Sequence, residues 1–177
     1  MIVVAYASKH GATEGIARHI ADRLTERGEP AEARSVTEID SLEDPKAVVL
    51  GSAVYAGSWR KEAIEFVDAH ADELARIPVW LFSSGPLGAQ VVDEEEQPRQ
   101  LEEIRERISP RAHQMFFGAL DRSKLSFGER MIVKAVKAPD GDYRNWDDIS
   151  SWTDGIAVAL VGERARSDRR VLPWRGR

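Results

Sequence analysis

The chain has 177 residues, 42% of them hydrophobic, with no cysteine and a formal net charge of -5. That length suits one domain with a sizeable core. The missing thiols exclude disulfide frameworks, thiolate zinc sites, iron–sulfur clusters and cysteine nucleophiles, so any redox chemistry must come from a bound cofactor, and the acidic balance argues against a nucleic-acid partner.

Met1 to Ala7 (MIVVAYA) is nearly continuously apolar and rich in β-branched residues, the pattern of a central parallel strand buried on both faces. It carries no basic leader or cleavage pattern, and no run of the chain reaches the roughly 18 apolar residues of a spanning helix, so a cytoplasmic protein is expected. Ile16, Ile20 and Leu24, flanked by Ala17 and Ala21, then recur at helical spacing, with Arg18, Asp22, Arg23 and Glu26 on the other side. Between strand and helix lies Ser8-Lys9-His10-Gly11-Ala12-Thr13. A helix start leaves N–H groups without acceptors and carries partial positive charge, so this turn suits a phosphate dianion. Ser8 and Thr13 add hydroxyl donors, and Gly11 permits close backbone approach. The place of His10 in the turn points to backbone donation and packing rather than to a general base. An ordinary helix-capping turn is the plainer alternative.

Arg27-Gly28-Glu29-Pro30 reads as a helix stop. Ala31 to Val36 is a short outer-strand candidate, Thr37 to Pro45 a polar connection, and Lys46 to Leu50 followed by Gly51 a third strand. Ser52 to Trp59 reads as a loop of small residues, with Ala53, Val54, Tyr55, Ala56 and Gly57 as candidate ligand contacts. Tyr55 and Trp59 can stack on an aromatic ligand or cover the sheet end. Lys61 to Leu74 is an amphipathic helix with Ile64, Val67, Ala71 and Leu74 on one face, and Ile77 to Phe82 is a further strand. Ser83 to Gly88 follows that strand directly as a third loop, adding Ser84, Gly85, Pro86, Leu87 and Gly88 to the candidates. Asp93 to Glu96 reads as a solvated acidic loop, and no metal site is expected. Leu101, Ile104 and Ile108 mark a helix ending near Ser109-Pro110, and His113 to Leu120 is the last strand of the series.

Beyond it, Arg130, Lys134 and Lys137 lie beside Leu125, Ile132, Ala135 and Val136 at helical spacing, a basic amphipathic helix over about 125–138. Such a face suits the inner membrane surface, an acidic partner, or a lid packed on the domain with a solvated edge. Asp142 to Trp146 reads as a capping element for a final helix with Ile149, Trp152, Ile156 and Leu160 on one side. The domain is expected over 1–162, followed by a basic tail over 163–177.

Apolar strands alternating with helices imply an α/β fold with a doubly wound parallel sheet covered on both faces. Its ligand would lie outside the carboxyl ends of the strands, where the strand order reverses. With strand one central and strand three beside it, the loops after strands one, three and four converge there.

Ser8-Lys9-His10-Gly11-Ala12-Thr13 resembles the first loop of flavodoxin-like proteins, which follows Ser/Thr-x-Thr/His-Gly-x-Thr. The resemblance implies a five-stranded sheet of order 2-1-3-4-5 holding FMN. Its phosphate would lie on Ser8 to Thr13 and its isoalloxazine between Ala53–Gly57 and Ser84–Gly88, with Gly57 a place for a peptide to reorient toward flavin N5. Phe117-Gly118-Ala119-Leu120, the insert Phe127 to Lys134 and Asp142 to Ile149 resemble, in the same order, the menaquinone-dependent protoporphyrinogen oxidases. That branch implies a helical insert after strand five, a porphyrinogen substrate and a quinone acceptor, with peripheral membrane contact through the insert. Two departures stand out: Ala56 occupies a place where an aromatic is expected, and Ser83 to Gly88 carries no aromatic. A deazaflavin (F420) in the same cradle, or a non-enzymatic electron-carrier or docking module, are the other readings.

Overall fold

The structure, a computed structural model, describes residues 1–85, 98–121 and 141–171 together with 123, 125, 126, 128 and 131. Ile2–Ala7 forms β1, buried at every position, and Ala12–Glu26 forms α1. Then come β2 (Ala31–Ser35), β3 (Ala47–Tyr55), β4 (Ser58–Trp59), α2 (Lys61–Ala69), α3 (Ala71–Leu74), β5 (Val79–Ser84), α4 (Leu101–Ile108), β6 (Ala112–Phe116), β7 (Ala119–Leu120), β8 (Gly141–Asp142) and a final helix α5 (Trp146–Val171). The sheet runs β2-β1-β3-β5-β6, with each neighbouring pair on that path parallel and β4 added antiparallel to β3. Counting parallel strands alone, this is the expected order 2-1-3-4-5.

Side-chain alternation explains the double covering. Ile2, Val4, Tyr6 and Val49 point to one face, where α1 and α5 bring Ile16, Ile20, Leu24, Ile149, Ile156 and Leu160. Val3, Ala5, Val48 and Leu50 point to the other, where Ala63, Phe66 and Val67 of α2 and Leu101, Ile104 and Ile108 of α4 pack. Strands wanted by two hydrophobic layers at once are the nearly continuous apolar runs seen in the sequence.

Several elements differ from the sequence reading, and α5 runs to Val171, through the start of the tail expected over 163–177. Strand β3 does not stop at Leu50 but runs to Tyr55, because β1 and β5 flank it and satisfy its backbone through Ser52 and Ala53. Strand β5 likewise takes in Ser83 and Ser84. The helix expected over Lys61 to Leu74 breaks at His70, whose backbone leaves helical geometry while its ring packs on Phe66 at 4.7 Å. The strand expected from His113 to Leu120 is interrupted at Phe117–Gly118, after which β7 turns away to pair antiparallel with β8. Of the proposed insert, Leu125 is buried and Met131 exposed, whereas Arg130, Lys134 and Lys137 lie outside the described residues, as do the acidic stretch Asp93 to Glu96 and the end of the tail. Among the described residues no helix is long and apolar enough to cross a membrane.

Helices α1 and α5 are also joined by charge. Asp154 accepts from Arg23 Nε at 2.8 Å and Nη2 at 2.9 Å, and from Arg27 Nε at 2.8 Å. The Arg23 hydrogen bonds, then those of Arg27, hold the Asp154 carboxyl well below the usual carboxylate range. A carboxyl depressed on folding stabilises above its unfolded pKa, about 4, and loses that contribution as pH falls toward the folded value. Asp154→Asn is therefore expected to lower Tm at pH 7, with the gap to wild type closing as pH is taken below about 4. A gap that stays constant with pH would show that the carboxylate's charge is not what joins the helices.

Candidate functional site

The strand register brings the three expected loops to one edge. Ala7 is level with Ser52, and Ala53 with Ser84, so the chain leaves β1, β3 and β5 on neighbouring strands about 5 Å apart. The order reverses between β1 and β3, which open sheets use as a ligand crevice.

At the β1 exit the turn is closed by the Gly11 N–H donating to Ser8 Oγ at 3.1 Å. Gly11 caps α1 in the left-handed region, φ 88°, with no side-chain cap. A Cβ there would meet nothing within 4 Å, so glycine is wanted for its backbone conformation and not for space. The first intrahelical bond runs from the Gly15 N–H to the Gly11 carbonyl. The N–H groups of Ala12, Thr13 and Glu14 therefore face outward without helical acceptors. Thr13 is buried beneath them at 1% exposure, while Lys9 is exposed and His10 half-buried. The turn has an anion cradle's geometry.

The second candidate loop is a hairpin. Tyr55 pairs with Ser58 and Val54 with Trp59, leaving Ala56 (φ 48°) and Gly57 (φ 72°) as a two-residue turn with both centres left-handed. Tyr55 and Ala56 are exposed on this wall, Gly57 and Val54 are half-buried, and Ala53 is buried. Trp59 does not face the site. It is buried, and its indole N–H donates to Ser83 Oγ at 2.7 Å. Ser83 Oγ in turn lies 2.8 Å from His113 Nε2. Burial, with Arg105 nearby, pushes the His113 pKa down to about 4, so at neutral pH this is an uncharged Trp–Ser–His chain below the sheet edge.

At the β5 exit Ser84 is buried, and Gly85 (φ 123°) sends its N–H to the Phe116 carbonyl at 3.1 Å. Pro86, Leu87 and Gly88 lie outside the described residues.

Sequence reasoning missed the cleft wall facing the first loop. A space of about 480 Å³ is bounded by His10, Gly11 and Ala12 on one side and by Leu120, Asp121 and Arg144 on the other. Arg144 is laid across α1: its Nη1 donates to the Ala12 carbonyl at 3.4 Å, its guanidinium sits 4.5 Å over the Trp146 ring, and Nε binds Asp142 at 2.8 Å. Those bonds from Arg144 hold the Asp142 carboxyl below its ordinary value. A Cβ on Gly15 would stand 2.4 Å from Arg144 Nη1, so Gly15 is the signal that a side chain crosses the helix here, though nothing in the sequence says which one. Among the described residues no group of histidine and acidic side chains could hold a metal ion.

Residues 3–147 match the family model described as Flavodoxin domain. The chain is similar to protoporphyrinogen IX dehydrogenase (quinone) of Escherichia coli strain K12, 22% identical over 171 residues that cover 88% of this chain and 93% of the relative. Among solved structures it resembles a flavodoxin from the domain Archaea, with TM-score 0.61 and 14% identity over 90% of this chain and 97% of that one. A flavodoxin variant from Pseudomonas aeruginosa gives TM-score 0.57 at 18% identity over the same shares, 90% and 97%. Rubredoxin:oxygen oxidoreductase of Desulfovibrio gigas gives TM-score 0.64 at 14% identity over 93% of this chain, which spans 37% of that larger protein. At these identities the structural likenesses speak to fold.

Proposed function

We propose that this chain, which belongs to the flavodoxin-domain family, holds FMN at the carboxyl edge of its sheet and serves as a quinone-linked oxidoreductase. The observation that carries the reading is the uncapped start of α1 behind Gly11, level with two further strand exits of small residues. Ser8 to Thr13 would hold the phosphate through backbone N–H groups and the Ser8 hydroxyl. Val54 to Gly57 and Ser84 to Gly85 would flank the ring system, with Tyr55 as the aromatic on the hairpin wall. The flavin, once bound, supplies the electron chemistry, and the protein supplies position, charge and exclusion of water.

The similarity to a protoporphyrinogen IX dehydrogenase (quinone) over most of both chains supports a porphyrinogen-type substrate. Each dehydrogenation would remove two electrons and two protons from that substrate and reduce one quinone to a quinol. Supply of quinone would place the protein at the inner membrane face. A second reading, a deazaflavin, draws on the cleft lined by His10, Gly11, Leu120 and Asp121, which leaves room for an extension beyond the phosphate.

The test is the absorption spectrum of the purified protein, the mass of whatever heat releases from it, and a menaquinone-dependent assay for protoporphyrinogen oxidation. FMN with quinone-dependent porphyrin fluorescence is expected. A deazaflavin mass would replace the cofactor assignment by the second reading. FMN without turnover would leave an electron carrier and remove the substrate.

A further inference from the structure

The hairpin wall has no firm support of its own. Strand β4 is two residues long and among the described residues pairs only with β3, and a short hairpin is marginal in isolation. Its turn holds Ala56 at φ 48°, which an alanine adopts at a cost. Two backbone groups of the hairpin point away from β3 and need partners elsewhere.

Both partners come from the two residues before α4. The Arg99 N–H donates to the Gly57 carbonyl at 3.1 Å, and the Trp59 N–H donates to Gln100 Oε1 at 3.2 Å. Gln100 occupies the cap position of α4, yet its side chain makes no capping hydrogen bond. It is turned to the hairpin instead. Trp59 itself is 4% exposed, so without Gln100 its N–H would lose its protein acceptor at a buried residue. The hairpin is thus held by the indole to Ser83 beneath and by Arg99–Gln100 at its open edge. Arg99 and Gln100 thus fasten the hairpin to the start of α4.

We infer that Gln100 is a positioning residue that fixes the Tyr55–Gly57 wall for the cofactor, an inference that rests on the FMN site proposed above. Gln100 does not touch the cofactor. Its amide oxygen sets where the hairpin stands, and the ring-binding geometry follows.

Gln100→Leu removes the acceptor with little change in volume, and Gln100→Glu keeps an oxygen that can accept the Trp59 N–H. Three readouts are compared with wild type: hydrogen exchange at the Trp59 and Ser58 amides in the cofactor-free protein, FMN affinity by fluorescence titration, and the midpoint potential of the bound flavin. Loss of the latch in Gln100→Leu should speed hairpin exchange and raise the FMN Kd, each by about tenfold, the scale of one hydrogen bond. The potential should shift as well, while exchange in α1 and β1 stays as in wild type. Gln100→Glu should restore exchange and affinity. Wild-type exchange and FMN affinity in Gln100→Leu would overturn the inference, and so would failure of Gln100→Glu to rescue a defect. If wild type itself does not bind FMN, the proposed site falls, and the exchange data on the cofactor-free protein still decide whether the latch exists.

Discussion

Replacing Ala12 by aspartate is expected to leave the fold intact, or slightly stabilised, while weakening FMN binding at least about a hundredfold. Ala12 opens α1, and its N–H is one of three that have no helical acceptor. A carboxylate at that position complements the helix dipole and should add roughly 0.3–1 kcal/mol to stability. The same charge stands where the proposed phosphate dianion would sit. At a few ångströms, with a near-surface effective dielectric, each unit pair costs on the order of 4 kcal/mol before screening. Arg144 offers little relief, since Asp142 already binds its guanidinium through Nε and Nη2. Ala12→Lys should show the reverse pattern, a lower Tm with FMN binding retained. The measurement is Tm of the cofactor-free variants beside FMN titration at low salt and at 1 M salt, where screening over about 3 Å should narrow the aspartate defect. If Ala12→Asp binds FMN like wild type, the phosphate is not at the α1 start.

The first candidate loop was legible because everything that shapes it is local. An apolar strand, a glycine and a helical stripe within 26 residues dictate β1, the turn and α1. Helix α4 was equally plain, since Leu101, Ile104 and Ile108 define its stripe and Ser109-Pro110 ends it. The hairpin was not legible, for a physical reason. An Asn-Gly pair announces a turn with two left-handed centres, but Ala56-Gly57 half-conceals it, and small residues such as Ser52 and Ala53 stay extended only because strands flank them. The direction of Trp59 was hidden for a similar reason. An aromatic beside a ligand loop looks like a stacking ring until Ser83, 24 residues on, is seen to take its N–H. Arg144 reaches Ala12 across 132 residues, and no spacing rule carries that far.

Gly51→Ala should produce the largest loss of stability of any single methyl added to this sheet. Gly51 lies on β3 between Tyr6 of β1 and Phe82 of β5, and the Phe82 ring is folded across it. A Cβ at residue 51 would stand 2.0 Å from Phe82 Cζ and 2.2 Å from Cε1, so one of the two must move. The ring has nowhere to go: Phe82 is fully buried, with Phe116 at 6.1 Å and Trp152 at 6.4 Å between centroids. The backbone is no freer, being hydrogen-bonded to parallel strands on both sides. Overpacking of this kind costs about 1–3 kcal/mol and occasionally more, and in a chain of this size each kcal/mol lowers Tm by roughly 2–4 °C. The upper end is expected. Phe82→Leu removes the colliding ring edge, so the double variant should be more stable than the sum of the single losses, with a coupling on the order of 1–3 kcal/mol. The strain also bears on the site, because the next residue, Ser52, takes the Arg60 N–H at 2.9 Å just beyond the hairpin. FMN affinity should therefore fall in Gly51→Ala and recover in the double variant, whereas simple additivity in chemical denaturation would mean that the Phe82 ring can leave Gly51 without cost.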